Sequence, residues 1–230
     1  MPETIEELRR GGSSPQTTLD LQLDVLGGLD TIAEQVDRVV AALRPERELR
    51  TGEALAAEER LAASQQALHD RVLLRLGDDA ASPNDLPLVA ALLHVTTSIS
   101  RMGHHCQVLI RVTPRLSQRL SSHDDALVQL SLMGQLAGSQ LLGAKKAFLN
   151  RNMNQVDRLV QRDREIRQAG RKVFERAIAG GSQVDQSAMM MVIASRSLES
   201  IADEAIEIGE QAAFISGGLF KEFDDARAYG

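Results

Sequence analysis

Residues 189–218 read MMMVIASRSLESIADEAIEIGEQAAFISGG, and the spacing of their apolar side chains decides the fold. Met191, Ala194, Leu198, Ile201, Ala205, Ile208, Ala212 and Ile215 follow one another in alternating steps of three and four, which keeps one apolar seam in place for about seven helical turns. That is the pattern of a core-facing helix in a bundle. On the flank of the seam Glu199 and Asp203 lie four apart, so their carboxylates stack about one turn from each other, with Glu207 a turn further on. Like charges stacked this way repel and need a cation, a partner or solvent.

The same seam occurs once more, 99 residues earlier: Leu92, Val95, Ile99, Met102, Cys106 and Leu109 match Met191, Ala194, Leu198, Ile201, Ala205 and Ile208 one for one. The chain therefore reads as a tandem duplication. Its 230 residues suffice for one large or two small domains with a real core. With no Trp and one Tyr, but abundant Ala, Leu, Gln, Arg and Glu, the composition favours helices packed through small and aliphatic side chains. The expected class is all-α.

Outward from the two seams the chain divides into six helices. Residues 1–16 form a polar leader ending in Gly11-Gly12-Ser13-Ser14-Pro15. A first helix from about Thr17 carries Leu26, Leu29, Ala33, Val36, Val40 and Leu43 and stops before Pro45; a second runs from Thr51 to Leu76 with Leu61, Leu68 and Val72. The third, from about Asp85, tolerates Pro87 in its opening turn and is expected to close at Pro114. Residues 115–123 then make a charged connector. The fourth helix begins near Asp124 and the fifth after Asn152, and the sixth carries the second seam. The expected architecture is two tandem antiparallel three-helix bundles, residues 17–114 and 124–218, related by a pseudo-twofold repeat and followed by a tail, residues 219–230, with Phe220 and Phe223.

The formal net charge of −6 leaves sequence-independent nucleic-acid binding without an electrostatic footprint. The single cysteine, Cys106, sits on a seam and reads as a small buried hydrophobe. Residues 1–20 lack the apolar run of a signal peptide, and no segment is apolar for the roughly 18 residues of a membrane span. The expected location is the cytoplasm.

The stretch Arg196-Ser-Leu-Glu199-Ser-Ile-Ala-Asp203, followed by Ile206, Ile208 and Glu210 and closed by Ser216-Gly217, resembles the helix signature of the phosphate-uptake regulator (PhoU) family. The run from Asn84-Asp85-Leu86 to Ser98-Ile99-Ser100-Arg101-Met102-Gly103-His104 is similar to the family's first copy of that signature, so the resemblance spans roughly residues 17–218. It implies two three-helix bundles about a pseudo-twofold axis. It also implies a multinuclear metal site on each bundle, held by acids spaced E/D-x-x-x-D on two adjacent helices.

This chain keeps little of that ligand set. In the second half Glu199 and Asp203 are intact, but the helix-five motif reads Asp163-Arg-Glu-Ile-Arg167, with a base where the second acid is expected. In the first half Glu58 stands four before Ala62, and the helix-three pair is Ser100 and His104. The candidate metal ligands are Glu199, Asp203 and Asp163, for a divalent ion such as iron, zinc or magnesium. Against this reading, Arg167 is placed to neutralise the helix-six acids directly. Arg196, Glu204 and Glu207 form a candidate partner surface, with plain solvation as the alternative.

The sequence has no Gly-rich phosphate loop, no nucleophile in a recognisable setting and no Glu-x-x-His pair, so an enzyme is not expected. The resemblance implies a cytosolic, homodimeric adaptor in phosphate-starvation signalling. Its partners would be subunits of a phosphate ABC transporter and a sensor histidine kinase, with membrane association only through them. An adaptor for a different transporter or regulator is the alternative, and a carboxylate-bridged metalloenzyme a remote one.

Overall fold

A computed structural model describes residues 17–43, 49–77, 85–120, 124–179 and 186–217. Six α-helices lie among them: α1 (Thr18–Ala42), α2 (Thr51–Leu76), α3 (Leu86–Arg119), α4 (Asp125–Asn150), α5 (Met153–Ile178) and α6 (Gln186–Gly217). The leader and the Phe220/Phe223 tail lie outside the described residues.

Helix starts follow their caps. Thr17 and Asp20 form a reciprocal capping box at α1, each accepting from the other's backbone N–H at 3.1 Å. Asp124 accepts from Ala126 N at 2.9 Å to open α4, and Asn152 accepts from Asn154 N at 3.0 Å to open α5. Between α4 and α5 the chain reverses within Arg151 and Asn152, which forces Arg151 into the left-handed region at φ 50°.

The directions of the helices are fixed by contacts at their ends. Thr18 Oγ1 donates to Asp85 Oδ2 at 3.3 Å, which brings the starts of α1 and α3 together, while Arg176 pairs with Asp124 at 2.9 Å, joining the end of α5 to the start of α4. The fold is all-α, two tandem antiparallel three-helix bundles. Both seams lie in the interior: Leu92, Val95, Ile99, Met102, Cys106 and Leu109 are at most 1 % exposed, and the seam residues of α6 from Met191 to Ala212 at most 4 %, with Ile215 half-buried at the end. Each Val, Leu, Ile or Met among them contributes about 1.5–3 kcal/mol by leaving water.

The bundles are fused rather than strung together. The most extensive helix pairing in the molecule joins α3 to α6, α1 packs on α4, and one continuous apolar core runs through both halves. Among the described residues α2 touches only α1 and α3, and α5 only α4 and α6. Four helices, α1, α3, α6 and α4, thus pack in a closed ring at the centre, with one outer helix on each side.

One boundary differs from the sequence expectation. α3 does not close at Pro114 but runs through it to Arg119, so part of the charged segment 115–123 is helical. Proline removes one N–H and crowds the preceding turn. Burial of Thr113 and Leu116 on either side, at 1 % and 0 % exposure, holds the last turns in place. Within α4, Gly134 marks a close approach to α1. A Cβ on Gly134 would stand 2.1 Å from Val40 Cγ2 of α1.

Candidate functional site

In the second half, α5 and α6 bring the expected acids together around a base. Asp163 and Arg167 are one turn apart on α5, and Glu199 and Asp203 one turn apart on the facing side of α6. Arg167 Nε donates to Asp163 Oδ2 at 2.7 Å and its Nη2 donates to Asp203 Oδ1 at 2.6 Å, so one guanidinium ties the two helices. Glu199 takes a second base, Arg196 Nη1, at 2.8 Å. Burial works against the Arg167 charge, but the hydrogen bond to Asp163 and the charges of Asp203, Asp163 and Glu199 outweigh it and hold its pKa above the ordinary arginine value. Asp163 is 1 % exposed and its Oδ1 has no hydrogen-bond partner.

Gly170, one turn beyond Arg167, is a part of this site that the sequence reading missed. A Cβ there would stand 2.1 Å from Glu199 Oε1, so only glycine lets that carboxylate lie along the α5 backbone. An isolated glycine inside a strong helical pattern was the available signal. Beside it opens a groove of about 220 Å³ lined by Arg167, Arg171, Phe174, Ser195, Arg196 and Glu199.

Glu199, Asp203 and Asp163 do not fit a metal as they stand. Among the described residues no three His, Cys, Asp or Glu side chains group as ligands, and the guanidinium of Arg167 already bonds to two of the acids. A cation bound there would face a fixed positive charge at contact distance.

The three residues expected to face a partner separate. Arg196 is exposed, its side chain at 76 %. Glu204 turns inward to meet Arg101 of α3 at 3.4 Å, with its side chain 14 % exposed. Burial raises its pKa above the usual carboxylate value, while Ser98 and Arg101 act to lower it. Glu207 is half-buried. The corrected reading is that Glu204 belongs to the contact between halves. A single seam implies one buried face, whereas α6 packs against α3, α4 and α5 and leaves few positions to solvent.

The equivalent place in the first half holds a different arrangement. Glu58 of α2, 105 residues before Asp163, is 1 % exposed, and neither of its carboxylate oxygens has a hydrogen-bond partner. It borders a cavity of about 80 Å³ with Gln65, Ser100, Gly103, His104 and Gln107. Desolvation pushes its pKa up to about 7. Cys106, fully buried beside it, has its thiol raised by burial and by the charge of Glu58. His104 is exposed and its ring meets that of His105 edge-on at 5.9 Å.

A pH dependence follows. Because the folded state holds the Glu58 proton more tightly than the unfolded chain, stability on this account is full below about pH 4.5 and falls as pH rises toward 7. After allowance for solvent reaching the cavity, the loss is about 2 kcal/mol. Glu58→Gln is therefore expected to match the parent near pH 5 and to melt several degrees higher at pH 8. Thermal melts at both values check this, and a difference between the two proteins that does not change with pH would contradict it.

No described helix is long and apolar enough to cross a membrane. A PhoU domain model matches residues 130–212. Among solved structures, PhoU from Pseudomonas aeruginosa superposes with a TM-score of 0.75 at 19 % identity, over 87 % of this chain and 97 % of that one. The phosphate transport system regulatory protein PhoU from Streptococcus pneumoniae superposes with a TM-score of 0.70 at 18 % identity, over 90 % of this chain and 98 % of that one. No curated protein sequence matches. Residues 130–212 thus match the PhoU domain, and over both halves the chain has the fold of the PhoU crystal structures.

Proposed function

We propose that the chain regulates phosphate uptake as a rigid helical adaptor. It engages subunits of a phosphate ABC transporter, a sensor histidine kinase or both, acts as a homodimer in the cytoplasm, and reaches the membrane only through those partners. The observation that carries this reading is the fold match over nearly the whole of two PhoU chains, one of them described as a phosphate transport system regulatory protein. The adaptor form is supported by the second-half acids, which are already neutralised by arginine. Signalling through protein contacts needs only a rigid body and an intact surface.

Asp203→Asn separates this from an acid-borne signal, because it keeps the shape of residue 203 and removes its charge. Arg167 then still holds Asp163. In a strain with a phosphate-starvation reporter and equal expression of each variant, Asp203→Asn is expected to leave repression at high phosphate largely intact. Derepression by a variant whose helical content and melting are normal would show that the acid site carries the signal.

A further inference from the structure

The two halves treat equivalent buried acids differently. Glu58 has no cation and is held near its proton, whereas Asp163 has one built into its own helix. Arg167 stands one turn after Asp163, at the position where the resemblance to the PhoU family implies a carboxylate. Its fork reaches Asp163 on α5 and Asp203 on α6 at 2.7 and 2.6 Å, and Glu199 adds a third negative charge that supports it. Planar guanidinium suits two carboxylates at once, because its N–H donors lie in one fixed fork.

We propose that Arg167 is the resident cation of the second bundle. It takes the place that a divalent ion would occupy among Asp163, Glu199 and Asp203, and it locks α5 to α6 without an exchangeable ligand. This makes the second bundle's fold indifferent to divalent metal. The buried, unpartnered Oδ1 of Asp163 is the mark of this substitution: one guanidinium leaves unfilled an acceptor on an almost fully buried carboxylate.

The test uses purified full-length chain and MnCl2 as the probe, since Mn2+ prefers oxygen ligands. The parent is expected to retain no Mn2+ after gel filtration and to melt at the same temperature in MnCl2 and in EDTA. Arg167→Asp, which supplies the missing carboxylate, is expected to melt lower in EDTA and to retain Mn2+. With MnCl2 at about a hundredfold its Kd, its melting point should rise by about 5–10 °C. Adding Asp203→Asn to that variant should remove both the retained metal and the recovery.

Stoichiometric Mn2+ on the parent that Asp203→Asn abolishes would overturn the proposal. So would Arg167→Asp that folds in EDTA and ignores Mn2+. If Arg167→Asp does not fold, Arg167→Ala, with less repulsion, decides the matter: a melting point raised by Mn2+ supports the proposal and an unmoved one overturns it.

Discussion

Leu198→Asp is expected to lower the melting temperature by about 10–15 °C and to abolish repression of a phosphate-starvation reporter. Leu198 is 2 % exposed on the α6 seam, so aspartate there puts an unpaired carboxylate where no water can reach it and removes the apolar contacts of leucine. The combined cost is about 4 kcal/mol or more, and in a chain of this size each kcal/mol moves the midpoint by about 2–4 °C. The continuous core gives the result a second signature. Because α6 packs on α3 as well as on α4 and α5, the loss should appear as one cooperative transition of the whole molecule, not as selective melting of the second half. Circular dichroism melts followed at several wavelengths check this. A variant with parental melting, or with one half melting alone, would contradict the fused-core description.

The second large effect is a pair of alanine substitutions with opposite signs. Gly134→Ala would place a Cβ 2.1 Å from Val40 Cγ2, at the crossing of α4 and α1. Valine is branched at Cβ and has one favoured rotamer in a helix, so it cannot swing aside and the helices must part. The expected cost is about 2–3 kcal/mol, despite the gain of up to about 1 kcal/mol from replacing a mid-helix glycine. Gly27→Ala in α1 carries the same gain with no atom within 4 Å of the new methyl. It should raise the melting temperature by a few degrees. Calorimetry on both variants checks the contrast, and equal shifts would mean that α1 and α4 do not approach as closely as described.

How much of this was legible before the fold was known depended on the kind of interaction. The seams of α3 and α6 were readable because burial of a helix face imposes a period, and every seam residue from Leu92 to Leu109 is buried. Helix starts at Thr17, Asp124 and Asn152 were readable because capping is local chemistry. The continuation past Pro114 was not, since Leu116 gains its hold from residues distant in the sequence. Polar burial was the least legible. Nothing local distinguishes Glu58, Glu204 and Asp163 from the solvated acids around them, and their burial depends on which helices close over them. The pairing of Arg167 with the acids was half legible: the sequence placed it for neutralising Glu199 and Asp203. The structure shows it bonded to Asp203 and to its own neighbour Asp163, while Arg196 takes Glu199.

The tandem repeat also sets what this protein was free to become. In a symmetric pair of identical chains every substitution appears twice, so a change useful at one site must be tolerated at its mate. Joining the two copies in one polypeptide removes that coupling. Glu58 and Asp163 then need not share their surroundings: an alanine stands one turn after Glu58 and an arginine one turn after Asp163. Residues on the shared core had less latitude, because a change in either half is felt in both. On the outer helices α2 and α5, each of which packs within its own half, an acid answers to that half alone.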